Sequence, residues 1–313
     1  CVMNTHRFDY FITLARERSF TKAAKQLHIT QQTLSNYIAQ LEKEIGSTLF
    51  VRNIPLKLTY AGSVYLRYAL EIHKQMENMQ HELDDISHKE RGLLKIGIAF
   101  SRGHILMPRL ITAFQKAHPF IQIQIVETSN ELLLTKLLNH EIDLAIANFE
   151  EEIPGVTLQD FYDEENVLLI SEKLLDDIYG SNKEKILEQV ALLGHIHPLK
   201  DCPFVLMNSD NIAGRIGRNI LNTAGFTADV KVTSDNIETL LSLCIDDCGA
   251  CFCPELLVRR ALSPEVLARL RIIRLGEDAK YKIRFGYAKQ NYQWNAIDEF
   301  IKIAVESLDD KAL

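Results

Sequence analysis

Residues 19–46 read SFTKAAKQLHITQQTLSNYIAQLEKEIG, and this stretch decides the fold of the N-terminal region. It holds two helical patterns with a short turn between them. Thr21 suits an N-cap, because a hydroxyl there can accept from the free N–H groups of the next turn, and Phe20 stands where an apolar staple belongs. Ala23 and Ala24 are small enough for close helix contact. This helix is expected to end near Leu27, and His28-Ile29 makes a tight turn. Thr30 then caps a longer helix, Gln31 to Ile45, whose Leu34, Ile38, Leu41 and Ile45 form a buried stripe at helical spacing. Gly46 stops it. Two helices joined by three or four residues form a helix-turn-helix.

Upstream, Phe8, Phe11, Ile12 and Ala15 predict an amphipathic helix over residues 5–17. Downstream, Leu49–Arg52 and Leu56–Leu58 are strand-like runs around an Asn53-Ile54-Pro55 turn. The pair reads as a wing, with Arg52 and Lys57 close to its tip. Thr59 caps a long helix reaching about Lys89. Its apolar positions, Tyr65, Ala69, Ile72, Met76, Met79, Leu83 and Ile86, alternate gaps of four and three, a heptad seam. A helix roughly 45 Å long with one apolar seam needs a partner, so the expectation is a dimerisation helix.

Beyond Arg91-Gly92 the pattern changes. Strands are expected at 93–99, 121–126, 142–147, 204–207, 229–232 and 250–253. Helices are expected at 104–117, 131–139, 213–223 and 236–245. Strand and helix alternate with short links, which signals βαβ units and a parallel sheet. Two α/β halves of similar plan suggest a bilobed domain with a cleft between them. Residues 172–200 fit this plan least and read as two helices and a loop. The crossovers between halves are expected near Phe161–Glu164 and Arg269–Ile273.

Charge is uneven along the chain. Residues 1–60 hold eight Lys or Arg against four Asp or Glu, a local net of +4. The total of −7 over 313 residues then leaves −11 on the remainder. That total excludes a protein coated uniformly by nucleic acid, but a basic head on an acidic body suits a first domain that meets phosphate. No run approaches the ~20 apolar residues of a membrane span. The first residues lack the apolar stretch of a secretory signal, so a cytoplasmic location is expected.

Phe8-x-x-Phe11, Ser19-Phe20-Thr21-Lys22-Ala23-Ala24, Leu27-His28-Ile29-Thr30-Gln31, Leu34-Ser35, Ile38, Leu41-Glu42, Gly46, Leu49-Phe50, Arg52 and Leu58-Thr59-x-Ala61-Gly62 together closely resemble the LysR-type transcriptional regulators. A looser likeness covers the rest, including Leu106-x-Pro108-x-Leu110, His118-Pro119 and Gly249-x-x-x-x-Pro254. The resemblance implies a winged helix-turn-helix, a dimer-forming linker helix, and an α/β effector domain of periplasmic-binding-protein type. It implies dimers or tetramers on imperfect palindromes of double-stranded promoter DNA, and it admits RNA polymerase as a further partner. The expected layout is a DNA-binding domain over 1–58 and a linker helix over 59–91. One effector half follows at 92–162 with 271–313, and the other at 163–270.

A recognition helix puts its first turns into the major groove. Here those turns carry Thr30, Gln31, Gln32, Thr33, Ser35 and Asn36, with Thr21 beside them. Amides can pair bidentately with adenine, and hydroxyls reach phosphates or base edges. Arg52 and Lys57 would touch the backbone or minor groove. Gln32 stands where many relatives have Pro, and Asn36 where a basic residue is common. Fewer positive charges predict a shallower salt dependence.

In an α/β sheet, ligands sit at carboxyl ends of strands, against helix N-termini. The candidate effector residues are therefore Ser101, Arg102, Thr128, Ser129, Asn208, Ser209 and Cys253. Arg102 can pair with a carboxylate, so a small organic acid is the expected effector. Cys244, Cys248, Cys251 and Cys253 match no standard zinc spacing and read as buried small hydrophobes. No metal or cofactor is expected. Nucleophile-elbow, phosphate-loop and H-E-x-x-H signatures are absent, which argues against an enzyme.

Overall fold

A computed structural model describes residues 6–53, 55–86, 91–149, 151–208, 212–290 and 292–309. It divides into two compact units, Cys1–Glu90 with Gln290–Trp294, and Arg91–Lys289 with Asn295–Leu313.

The first unit holds α1 (His6–Glu17), α2 (Phe20–Gln26), α3 (Gln31–Ile45), the two-residue strands β1 (Phe50–Val51) and β2 (Lys57–Leu58), and α4 (Tyr60–Ile86). The cap of α2 is Ser19, not Thr21. Ser19 has extended backbone and its hydroxyl accepts from the Lys22 N–H, while Thr21 is already inside the helix. Thr30 caps α3 as expected, accepting from the Thr33 N–H at 3.1 Å, and Gly46 closes it in the left-handed region. His28 takes the positive φ that the tight turn needs. Phe11, Leu14, Leu34, Ile38 and Leu49 are fully buried together, each worth about 1.5–3 kcal/mol in transfer terms.

Glu42 organises the wing from α3. One of its carboxylate oxygens accepts from the Leu49 and Phe50 N–H groups at 2.7 and 3.1 Å, and the other lies 3.8 Å from Arg52. Helix α4 starts under tight backbone contact. Thr59 donates its N–H to Leu49 O and its hydroxyl to Thr48 O, and the same hydroxyl accepts from the Gly62 N–H. Gly62 lies so close that a Cβ there would stand 2.0 Å from Leu49 O.

The expected seam of α4 divides between two duties. Tyr65 packs against Phe8 and Phe11, and Ala69 is buried, so these two positions serve the unit's own core. Ile72, Met79 and Leu83 continue the same stripe further along the helix and are exposed there, as is Tyr68 beside it. The side chain of Ile86 and residues 87–90 lie outside the described residues. Gln290, Tyr292 and Trp294 pack on the far part of α4. Asn78 donates to Gln290, Tyr292 donates to Asp85, and the Trp294 ring stacks on His81 at 3.9 Å.

The second unit begins β3 (Gly92–Ile98), α5 (Phe100–Ala117), β4 (Ile121–Glu127), α6 (Asn130–Leu138), β5 (Leu144–Ala147) and β6 (Val156–Ser171). It continues α7 (Glu172–Tyr179), α8 (Lys183–Leu193), β7 (Pro203–Met207), α9 (Ile212–Thr223), β8 (Asp229–Ser234) and α10 (Ile237–Ile245). It closes with β9 (Cys251–Pro254), α11 (Glu255–Ala261), α12 (Pro264–Leu267), β10 (Leu270–Arg274), β11 (Lys280–Ala288) and α13 (Asn295–Asp309).

The sheet is mixed, not parallel. β3 pairs in parallel with β4 and β5, but β11 inserts antiparallel between β5 and β6. The sixteen-residue β6 does the joining. Its first part, to Glu165, pairs with β11, and its last part runs between β9 and β10. One strand therefore serves two sheet regions, and its burial changes from half-exposed to continuous at Val167–Ser171. This change of partners at 165–166 lies a few residues beyond the crossover expected near Phe161–Glu164. Arg269–Ile273, the other expected crossover, falls mostly inside β10, which still pairs with the second part of β6.

Separate apolar clusters lie on the two sides. Leu133, Leu137, Ile142 and Phe149 gather on one, and Val205, Leu240, Cys244 and Leu257 on the other. Helix α5 begins at Phe100, four residues before the expected start, and carries Pro108 in its interior. Ser101, Arg102 and Gly103 are thus the first turn of a helix and not a loop.

Candidate functional site

On the first unit, the N-terminal turns of α3 present Gln31, Gln32, Thr33 and Asn36 to solvent, with Ser35 half-buried. Gln32 and Asn36 are four residues apart, so both amides point from one helix face. The two threonines are partly committed within the protein: the Thr30 and Thr33 hydroxyls are 2.8 Å apart. The Thr21 hydroxyl donates to the Gln31 side-chain oxygen at 3.1 Å, tying α2 to the start of α3. Arg52 leans towards Glu42, and Lys57 is exposed on the paired strand. The surface is amide-rich, with positive charge at its edge.

On the second unit, a recess opens where the first turn of α5 meets β6 and α11. Ser101, Arg102, Tyr162 and Glu164 form its polar wall, and Ile105, Pro254, Leu256 and Leu257 its apolar wall. The recess is small and open to solvent at its mouth.

Alternation along β6 puts Tyr162 and Glu164 on one face, and the register sets Tyr281 of β11 opposite Glu164. The Arg102 Nε donates to the Tyr162 hydroxyl at 3.0 Å, and that hydroxyl donates to Glu164 Oε2 at 3.3 Å. Glu164 Oε1 accepts from the Leu256 N–H at 3.4 Å, at the start of α11. Arg102 is 7% exposed and Glu164 5%, so this is a buried charge pair linked through a phenol.

Burial alone would lower the Arg102 pKa, but Tyr162, Tyr281 and Glu164 outweigh it and raise the pKa above the ordinary value. Burial raises the Glu164 carboxyl, against the pull of Arg102 and of the backbone N–H donors. Burial also pushes the Tyr162 and Tyr281 hydroxyls up, so both stay protonated.

The buried polar atoms without a hydrogen-bond partner among the described residues include, at this cluster, Arg102 Nη1, the Tyr281 hydroxyl, and Nε and Nη2 of Arg260. An unsatisfied donor of this kind costs about 1–3 kcal/mol, more when charged. Helix α5 adds to the demand. Its N-cap, Ala99, has no side chain to cap it, and no acid stands in its first turn. A helix N-terminus carrying a buried, half-satisfied arginine favours a negatively charged guest.

The other expected effector residues do not line the recess, although Thr128 donates its N–H to Ile98 O at the end of β3. Thr128 and Ser129 stand between β4 and α6, and Ser129 makes no side-chain cap bond. Asn208 at the end of β7 donates to Asp235 at 2.6 Å. Ser209 lies outside the described residues. Cys253 is fully buried in the apolar cluster and does not line the recess. Tyr162, Glu164 and Tyr281 were missed from sequence because they sit in the middle of strands. Both strands carry many polar residues, so nothing in the sequence marked these three out.

Among the described residues, no three His, Cys, Asp or Glu gather where a metal could be held. Cys202, Cys244, Cys251 and Cys253 are buried, and Cys248 is exposed. Burial pushes the Cys202 thiol up to about 12. The Cys251 thiol is raised by its contact with Cys244 and by burial, and Cys253 by burial. The thiolate is the reactive form. Peptide mapping after a thiol-alkylating reagent is therefore expected to show Cys248 modified in the native protein, with these four labelled only after unfolding. Native labelling of Cys251 would contradict this.

No helix among the described residues is long and apolar enough to cross a membrane. Two family descriptions match the sequence: "Bacterial regulatory helix-turn-helix protein, lysR family" over residues 5–63, and "LysR substrate binding domain" over residues 87–309. A probable RuBisCO transcriptional regulator of Thalassiosira pseudonana is 30% identical over 264 residues, covering 80% of this chain and 81% of its own. The transcriptional activator IlvY of Salmonella typhimurium is 26% identical over 304 residues, 96% and 99% of the two chains. Among solved structures, a variant of full-length OxyR from Pseudomonas aeruginosa superposes with a TM-score of 0.69 at 20% identity, over 98% of this chain and 95% of that one. Full-length CbnR in complex with its target DNA superposes with a TM-score of 0.59 at 19% identity, over 97% and 100%. At these identities the structures speak to the fold.

Proposed function

The chain belongs to the LysR family of bacterial transcriptional regulators, and from that membership we propose that it reads promoter DNA through the amide face of α3 and changes that reading when a small organic acid enters the recess at Arg102. Gln31, Gln32, Ser35 and Asn36 contact base edges or phosphates. Thr21, Thr30 and Thr33 hold the turn and reach the backbone, and Arg52 and Lys57 flank the groove. Residues 1–58 form the DNA-binding part and 59–91 the linker helix. The exposed stripe of Tyr68, Ile72, Met79 and Leu83 pairs two copies, so the site on DNA is an imperfect palindrome. The two effector halves meet at 165–166 and 275–279. The protein is a cytoplasmic regulator without catalytic activity, and RNA polymerase is its partner at the promoter.

The observation that carries the effector part is the buried Arg102 Nη1 with no partner among the described residues. A carboxylate satisfies it with a charge-assisted bond.

Fluorescence anisotropy on DNA from upstream of the protein's own gene tests the DNA part. Replacing Gln32 and Asn36 together by Ala is expected to weaken specific binding by on the order of 30- to 20,000-fold, at about 1–3 kcal/mol per lost bidentate pair. Binding to unrelated DNA should stay unchanged, as should the slope of affinity against salt, because no charge is removed. An equal loss on both DNAs would mean that these amides do not read sequence.

A further inference from the structure

Arg260 brings a second cation to the recess. Leu256 lines the recess from α11, and Arg260 stands four residues further along the same helix face. Helix α11 packs against α5, which supplies Arg102. Arg260 also interacts electrostatically with Tyr162, the phenol to which Arg102 donates. The two arginines therefore approach one tyrosine from two helices.

The unmade bonds of Arg260 have a definite shape. Its Nε and Nη2 are buried and have no hydrogen-bond partner among the described residues. These two N–H groups share one edge of the guanidinium plane and point the same way, which matches the two oxygens of a carboxylate. Arg102 Nη1 and the Tyr281 hydroxyl are further unpartnered donors of the cluster. An unpaired buried charge is costly, so a bare fork fits a site that a guest completes.

The charges around the recess set how much anion it takes. Glu164 is joined to Arg102 through the Tyr162 hydroxyl. Glu165 and Glu255 pair with Arg274, and Asp163 with Lys282. The charged neighbour of Arg260 is not an acid but Arg109, one turn past Ile105 on α5. Arg102 and Arg260 against Glu164 leave +1, and Arg109 does nothing to reduce it. One carboxylate cancels that charge.

We infer that a single carboxylate of the effector is shared between Arg102 and Arg260, with Arg260 supplying the two-point contact, and that the rest of the effector is uncharged and apolar. The inference rests on the reading of this recess as the effector site. Ile105, Pro254 and Leu257 form the wall that the apolar part meets. The shared anion ties α5, which packs on β4 and α13, to α11, which packs on β6 and β9. Two helices seated on different parts of the sheet are thus held by one guest.

The test is titration calorimetry of the full chain with butyrate, benzoate, succinate and butyramide. Butyrate and benzoate are expected to bind. Succinate, which carries a second charge to the apolar wall, should bind at least tenfold more weakly than butyrate, and butyramide should not bind. Arg260→Met should weaken both monoacids by on the order of 10- to 100-fold. Arg260→Lys keeps the charge but lacks the fork, and it should also lose about tenfold. Without acid, Arg260→Met should melt no lower than wild type, because the side chain it removes has no partner to lose. Wild-type affinity in either variant, succinate binding tighter than butyrate, or a lower melting temperature of acid-free Arg260→Met each overturns the inference and leaves the effector site standing. If no acid binds the wild-type chain, the effector-site reading falls and the inference with it. Should Arg260→Met fold poorly, Arg260→Lys and the comparison of butyrate with succinate still decide.

Discussion

Ile72→Glu together with Met79→Glu is expected to turn the protein into a monomer with an unchanged fold. Both side chains are more than 40% exposed on α4, on the stripe begun by Tyr65 but further along the helix. Two carboxylates per helix, brought against the same two on a second copy, would leave like charges facing each other across an apolar seam. Sedimentation or size-exclusion measurements at micromolar concentration read the state directly. Binding to a palindromic site depends on both copies engaging together, so affinity should drop by on the order of 10²–10⁴. Tyr65→Glu and Ala69→Glu are the informative contrast. Those positions pack inward, and their variants should lose stability. Dimers that survive the Ile72 and Met79 changes would mean that copies associate elsewhere.

Gly62→Ala is the second large effect, and it acts through one methyl group. The new carbon would stand 2.0 Å from the Leu49 carbonyl oxygen and 3.0 Å from its carbon. That carbonyl already accepts from Thr59, whose side chain binds the Thr48 carbonyl and the Gly62 N–H. Backbone stands on both sides, so relief requires α4 to lift off the wing. Overpacking of this kind costs about 3 kcal/mol, which in a unit of this size lowers its melting temperature by on the order of 15 °C. Circular dichroism melts check it. Gly46→Ala makes a useful comparison: nothing lies within 4 Å of its missing Cβ, and its cost comes only from the left-handed backbone. A Gly62→Ala protein as stable as wild type would show that the wing and α4 are not held as described.

Legibility in the sequence followed the range of the interactions. Caps and stops are local, and Thr30 with Gly46 bounded α3 to the residue. The cap of α2 was misplaced by two residues because Ser19 and Thr21 are both good caps, and the choice depends on which backbone stays extended. Helix α5 was started late. Pro108 favours a helix beginning shortly before it, whereas the fold accepts a proline in the interior of an eighteen-residue helix. That offset hid the surroundings of Arg102 by placing it in a loop. Strand β6 left no clear period, because its two parts face different neighbours and only the second is buried on both faces. Tyr162 and Glu164 could not be assigned a role until Tyr281, more than a hundred residues later, was set beside them by antiparallel pairing. The seam was read from spacing alone, and spacing cannot tell an outward apolar residue from one that covers its own core.

Trp294 is the chain's single tryptophan. It is buried, with its ring stacked at 3.9 Å on His81 of the linker helix. Ultraviolet emission excited at the indole band therefore comes from one place, the far part of α4. An imidazolium quenches an adjacent indole more strongly than a neutral imidazole does. The protein thus carries an optical probe, needing no label, of whether Gln290, Tyr292 and Trp294 stay packed on that helix while DNA or an acid is added.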